Sequence, residues 1–355
     1  MNQPGQTSVN VGLVGVGRWG QQHIAALEKA AQGKPGTRLV ALCAGSAESA
    51  NQAEARWGIP CDSDFQRFLE RKELEAVIFS TPNYLHYSMT RQALEAGKHV
   101  LVEKPMSFTP EECDDLIALA ARQQKVLFPG HEFRFFTLWE SFKELLAGEA
   151  IGKPRYGSLE LRRYPYNKGA GGWRHDPDRV GDWLLEEPIH YFDLALWFML
   201  ESAGPPTRLY AVSSAGSPER AAWHENFSAL LNFKDGSYVQ VTRTVASFDF
   251  RLQIHFTGTK GTLEGSWCAA TDRDLNPRAD LTLFRFGEAA PRHLEVSQQT
   301  GHAYDLHREI EAFAAAVRNL APGLSGLAGR QAVYLCQAAA RSLNSGQTVD
   351  LTGWK

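Results

Sequence analysis

Cysteine is scarce in this chain and nowhere organised. Five occur among 355 residues, at Cys43, Cys61, Cys113, Cys268 and Cys336, with no CxxC pair and no metal-type spacing. An odd, scattered set argues against a disulfide framework and reads as reduced thiols. Long apolar runs are missing too: no stretch of about 18 apolar residues appears. The opening MNQPGQTSVN has neither a basic segment nor an apolar core, so no secretory leader is expected and the chain reads as cytoplasmic and free of the membrane. Nor is there an excess of one charge. With 37 basic and 40 acidic residues the net charge is −3, which offers no footprint for nucleic acid or an anionic membrane. Internal repeats and low-complexity tracts are absent.

What is present begins at Val9. The run VNVGLVGVGRWG places apolar Val9, Val11, Leu13 and Val14 on a short buried strand that passes through Gly15-x-Gly17-x-x-Gly20 into a helical pattern at Trp19, Ile24 and Leu27. Between a strand and a helix these glycines have mechanical roles. Gly15 permits the tight turn, Gly17 lets backbone N–H groups approach a pyrophosphate, and Gly20 lets helix and strand pack closely. The helix N-terminus attracts the phosphate charge.

From residue 9 to about 130, strand-like and helix-like segments alternate, the pattern of a parallel sheet with crossover helices. Strands are predicted at Val9–Val14, Arg38–Cys43, Ala76–Ser80, His99–Val102 and Val126–Pro129. Amphipathic segments fall at Ala47–Trp57, Phe65–Lys72, Tyr84–Ala96 and Glu111–Gln123, the last opened by Thr109-Pro110-Glu111. From Pro154 onward the period changes to β alternation: Tyr156–Arg162, Arg208–Ser214, Ala229–Phe233, Tyr238–Val245, Leu252–Thr257 and Leu281–Phe286. Helices are expected at Trp183–Leu200, Asp305–Leu320 and Arg330–Asn344. The fold class is therefore α/β: a doubly wound parallel sheet over residues 1–130, then a second domain over 131–355 with a mostly antiparallel open sheet. Its C-terminal helices have the option of packing back on the first domain.

Four further features carry chemistry. Thr81-Pro82-Asn83-Tyr84-Leu85-His86 follows the Ala76 strand, where a parallel sheet presents its loops to ligands, and Glu103-Lys104-Pro105 follows the next one. Glu186-x-x-x-His190-x-x-Asp193 lies in a helical pattern that sets Glu186 and His190 on one face. Gly171-Gly172-Trp173-Arg174 precedes it.

Together these motifs resemble the Gfo/Idh/MocA family of NAD(P)-dependent oxidoreductases across essentially the whole chain. No single motif carries the likeness; the set does. The resemblance implies a Rossmann domain, a C-terminal α/β domain whose open sheet serves oligomer contacts (dimer or tetramer), and a catalytic lysine at Lys104. It also implies cofactor contacts from Gly15, Gly17, Arg18, Trp19, Gly20, Ala44, Ser46, Thr81, Pro82, Asn83, His86, Glu103 and Lys104.

Moving a hydride between an alcohol carbon and nicotinamide requires a group that takes the hydroxyl proton and one that stabilises the developing alkoxide. His190 suits the first task near neutral pH, and the Lys104 ammonium the second. Glu186 is placed to orient the imidazole. The bland readings are a surface lysine before proline and a satisfied core histidine. Glu187-x-x-His190 would need further ligands to hold a metal, and none stands at ligand spacing, so no metal is expected.

Two departures from the family pattern stand out. Ala44 replaces the usual acidic residue at the end of the second strand, which removes repulsion of a 2′-phosphate; with Ser46, Ser49 and Arg18 nearby in sequence, the cofactor reading of NAD or NADP leans to NADP. In the substrate half, Glu186 replaces Asp, Glu187-Pro188 replaces x-Gly, and Glu132 stands where the family often has Asn. Substrate contacts are expected from Glu132, Arg134, Trp173, Arg174, Glu187 and His190, with Glu187 either lining the pocket, pointing to solvent or paired with Arg174 or Arg179. The rings of Phe133, Phe135, Trp139, Trp173, Trp183, Tyr191 and Phe192 either stack on a ligand or fill the core. The function expected is hydride transfer on a sugar, polyol or glycoside hydroxyl. The alternatives are a redox-neutral sugar-transforming enzyme that retains and recycles its NAD(P), and a non-catalytic dinucleotide sensor.

Overall fold

A computed structural model describes residues 8–33, 36–165, 169–216, 223–296, 299–319, 321, 323–352 and 354. The first seven residues of the stretch read for a leader, and the expected helix end at residue 320, lie outside the described residues. The chain forms two compact units. One comprises Met1–His131, Gly169–Gly181 and Leu306–Arg330; the other comprises Glu132–Lys168, Asp182–Asp305 and Gln331–Lys355. The chain thus leaves and re-enters its first unit twice beyond the boundary drawn at residue 130.

The first unit alternates β1 (Val9–Val14), α1 (Arg18–Ala30), β2 (Thr37–Cys43), α2 (Ala47–Trp57), β3 (Cys61–Asp62), α3 (Phe65–Leu69), β4 (Ala76–Phe79), α4 (His86–Glu95), β5 (His99–Glu103), α5 (Pro110–Arg122) and β6 (Leu127–Gly130). The strands form a six-stranded parallel sheet in the order β3-β2-β1-β4-β5-β6. Burial on both faces explains why β4, reading AVIF, is an unbroken apolar run with all four residues buried. Local chemistry sets the helix starts. Thr109 Oγ1 accepts the Glu112 amide at 3.1 Å while the Glu112 carboxylate accepts the Phe108 amide at 3.0 Å, a capping box displaced by one residue, with Pro110 opening the helix.

The remaining elements are α6 (Thr137–Ala147), β7 (Pro154–Arg162), α7 (Pro177–Val180, part of the first unit), α8 (Trp183–Glu186), α9 (Pro188–Ala203), β8 (Pro206–Ser214), β9 (Asn226–Phe233), β10 (Tyr238–Thr244), β11 (Phe250–Gly258), β12 (Gly261–Ala269), β13 (Arg278–Arg285), β14 (Arg292–Leu294), α10 (His302–Val317), α11 (Gly326–Ser345) and β15 (Val349–Asp350). The second unit's sheet has nine strands in the order β14-β13-β12-β11-β7-β10-β9-β8-β15, antiparallel throughout except where β10 runs parallel to β7. Inward Leu252, Ile254 and Phe256 alternate with half-exposed neighbours along β11. Phe256 meets Phe142 of α6 and Phe198 of α9 at ring separations of 5.8 and 5.6 Å, which fixes both helices on one face of the sheet.

Three expectations need correction. The predicted helix Trp183–Leu200 is two helices, because Glu187 leaves helical geometry (φ −138°, ψ −50°) and Pro188, lacking an amide hydrogen, opens α9 instead of continuing α8. Strand β12 went unpredicted; Gly261 and Gly265 dilute its apolar alternation. Gly265 is held to a small side chain by close approach: a Cβ there would lie 2.9 Å from the Trp139 ring. Helix α6 also went unpredicted, although Leu138, Trp139, Phe142 and Leu146 give it a buried stripe.

Candidate active-site residues

The order of the parallel sheet reverses between β1 and β4, and the carboxyl ends of β1, β4 and β5 lie side by side there. They carry Gly15, Thr81 and Lys104 respectively. In a doubly wound sheet this crevice is where dinucleotides bind. Gly15 has φ +97°, and a Cβ on it would stand 2.4 Å from the Ser80 carbonyl oxygen; a Cβ on Gly20 would stand 1.9 Å from the Gly15 carbonyl oxygen. Gly17, by contrast, faces open space, with nothing within 4 Å of its Cβ position, and it caps α1 without a side-chain hydrogen bond. The first amides of α1 therefore follow a position with the room that close approach of a pyrophosphate requires. The residues present fit a dinucleotide.

Behind the loop, the Glu103 carboxylate accepts from Trp19 Nε1 at 2.5 Å and faces His23 Nε2 at 2.7 Å. Burial pushes the Glu103 carboxyl up, but the bond to His23, the charge of that imidazole, the Trp19 bond and the Lys104 ammonium outweigh it and hold the pKa below the usual value. Glu103 and Trp19 thus tie the glycine-loop helix to the end of β5, and half-buried Lys104 follows directly. His86 is buried and ties two loops, with Nδ1 at 2.6 Å from the Pro105 carbonyl and Nε2 at 2.9 Å from that of Thr81. Burial is the main cause of its lowered pKa, against the opposing pull of those oxygens. Asn83 is also buried and donates to the Val180 carbonyl at 3.2 Å. This holds the Gly169–Gly181 segment to the first unit, where Trp173 is buried and Arg174 lies over its ring at 4.7 Å.

At the end of β2, Ala44 is buried and donates its amide to the Asp62 carbonyl at 2.9 Å. Exposed Ser46 caps α2, its oxygen taking the Ser49 amide at 3.2 Å. Arg18 is exposed at the head of α1.

In the second unit the structure gathers a group the sequence reading only partly saw. Glu132 and His190 are 3% and 5% exposed, with Glu132 Oε2 at 3.7 Å from His190 Nδ1. The other oxygen, Oε1, lies 3.6 Å from Nδ1 of His302, a residue the sequence reading missed entirely. No motif flagged His302, since it stands 112 positions after His190 in an otherwise unmarked segment. Phe133 stacks on His190 at 4.6 Å and tilts against His302 at 5.5 Å. Arg134 is committed to Asp193 by two bonds of 2.7 Å. Glu187 is buried and pairs with Arg163 at 3.2 Å, not with Arg174 or Arg179 as weighed from the sequence. Glu186 is buried at the end of α8, and the break at Glu187 lies between it and His190 of α9. Tyr191, also buried, has its phenol pKa raised well above the usual value by burial and the neighbouring Glu187. Most of the named aromatic residues are core: Trp139, Tyr191 and Phe192 are fully buried, and Trp183 nearly so. Among the described residues no group of three or more His, Cys, Asp or Glu is placed to hold a metal ion, and no helix is long and apolar enough to cross a membrane.

Comparison with known proteins agrees with this architecture. Residues 9–131 match the NAD-binding Rossmann domain of the Gfo/Idh/MocA oxidoreductase family, and residues 139–264 match that family's C-terminal domain. The chain belongs to this family of oxidoreductases. Relatives include D-xylose 1-dehydrogenase (NADP(+)) 2 of Haloferax volcanii, 28% identical over 73% of this chain and 75% of its own length, and inositol 2-dehydrogenase of Rhizobium meliloti, 24% identical over 95% and 97%. The fold is shared with a solved inositol dehydrogenase homologue of Azotobacter vinelandii complexed with NAD+, at a TM-score of 0.81 and 21% identity, covering 99% of this chain and 100% of that one.

Proposed function

We propose that this protein is an NAD(P)-dependent dehydrogenase or reductase acting on a hydroxyl-bearing carbon of a sugar or polyol. The observation that carries the reading is the open position at Gly17 beside the β4 and β5 ends, with Lys104 following β5 directly. The sugar and inositol dehydrogenases among its relatives support the substrate class. Bound nicotinamide supplies the hydride acceptor or donor. The chain's own groups handle the oxygen: Lys104 stabilises the developing alkoxide as an ammonium, and His190 takes the hydroxyl proton. NADP is the assigned preference, because Ala44 brings no carboxylate to the end of β2. The same reading takes the two domains as 1–130 and 131–355, and the assembly as a homo-oligomer of cytoplasmic chains.

The test is turnover of the purified chain with NAD+ and NADP+ on myo-inositol and D-xylose, followed by nicotinamide absorbance. Lys104→Met is expected to lose about a hundredfold or more in kcat, the scale of removing one charge-stabilising donor, with dinucleotide affinity nearly unchanged. Retention of about a third of the wild-type rate, against that scale, overturns the assignment.

A further inference from the structure

We propose that Glu132 is the orienting carboxylate of His190 and that His302 is a second positioning residue, holding the other oxygen of that same carboxylate. The proposal deepens the assignment of His190 as proton acceptor and rests on it. Three separate stretches meet here: the turn Glu132–Phe135, α9 and the first residue of α10. Both imidazoles present Nδ1 to Glu132, one to each oxygen, at 3.7 and 3.6 Å. These are ion-pair separations, longer than a hydrogen bond, so the carboxylate acts through its charge: it favours a proton on the Nδ1 side and steadies the imidazolium that forms, and Nε2 is the atom assigned to take the substrate proton.

His302 is held in place by more than its own chain. The buried Asp305 carboxylate accepts from Thr300 Oγ1 at 2.6 Å, the Gly301 amide at 2.9 Å and Thr137 Oγ1 at 3.0 Å. Trp267 Nε1 donates to the Thr300 carbonyl at 2.9 Å, and Phe136 closes edge-on against His302 at 5.1 Å. Phe133 lies against both imidazoles.

The chemistry follows from charge. One imidazolium steadies a carboxylate this buried, and the charge of the first opposes a second. The proton that leaves the substrate hydroxyl ends on His190, which becomes that cation, while His302 is neutral before and after and gives up no proton. Protonation of the two histidines over Glu132 is therefore competitive. Charged or titratable groups on the elements around His190 include Glu186, Tyr191, Glu187 with its partner Arg163, Arg243 and the Arg134–Asp193 pair; those around His302 include Asp305.

The test is NMR titration of ring-labelled histidines in the full chain, with the His190 signal identified by its loss in His190→Asn. Glu132→Gln is expected to lower the titration of both histidines by about one pH unit or more, the scale of losing an opposite charge at this distance. His302→Gln is expected to raise that of His190, and Glu132→Asp to restore part of the first effect. If Glu132→Gln and His302→Gln both leave the His190 titration unmoved, with the thermal midpoint retained, the proposal is overturned. Should His302→Gln not fold, His302→Asn serves in its place. If His190→Asn keeps full turnover while Glu132→Gln still shifts both histidines, the proton-acceptor assignment fails and the carboxylate pairing stands.

Discussion

Glu103 and His23 meet at 2.7 Å inside the first unit, joining the end of β5 to the helix that follows the glycine loop. The bond links the two segments on which a dinucleotide and Lys104 depend.

Glu103→Ala is accordingly expected to lower stability by about 1–3 kcal/mol, because buried donors on Trp19 and His23 lose their acceptor. It should also weaken dinucleotide binding, since the glycine-loop helix loses its tie to β5. The pH dependence follows from the lowered carboxyl pKa: the folded chain binds the Glu103 proton less readily than the unfolded one. The contribution to stability is present in full above the ordinary carboxylate pKa and is lost as pH falls through the lower, folded value. Denaturant melts of wild type and Glu103→Ala across the acid range check this, and a difference between them that is constant with pH counts against it.

Ala44→Asp places a carboxylate at the end of β2, where it accepts from ribose hydroxyls and repels a 2′-phosphate. The preference is expected to move toward NAD by about tenfold, or about 1.4 kcal/mol. Titrating both dinucleotides against wild type and variant decides it; a wild type that already binds NAD far better than NADP refutes the proposed preference.

Phe256→Ala removes the ring that joins α6 and α9 to the sheet of the second unit. Phe256 is fully buried, so the expected loss is about 3–5 kcal/mol, seen as a lower denaturant midpoint. A change below about 1 kcal/mol would show that the neighbouring rings collapse into the space.

Much of the first unit was legible because its signals are local. Val9–Val14 and Ala47–Trp57 match the structure residue for residue, since apolar Val9, Val11, Leu13 and Val14 mark a short buried strand ending at the glycine loop and an amphipathic helix shows its period within a few turns. The glycine loop was legible for a related reason. The clash of a side chain at Gly20 with the Gly15 carbonyl is built into the strand–turn–helix crossing itself, whereas that at Gly15 is with Ser80, brought beside it by β4.

Long-range packing decided the rest. In β12, Gly265 leaves room for Trp139 and Phe142 of α6, more than a hundred positions away. Helical spacing set Glu186 and His190 on one face, but α8 ends before Pro188 opens α9, and packing brings Glu132 to 3.7 Å from His190 Nδ1. His302 had no signal at all, because its meaning comes from a carboxylate 170 positions earlier in the chain. By itself the sequence determined the family, the dinucleotide loop and the lysine after β5, because each is carried by short runs of adjacent residues. Which carboxylate faces the histidine, and which second histidine shares it, was decided only by the tertiary structure, because buried charges find their partners through packing rather than through spacing.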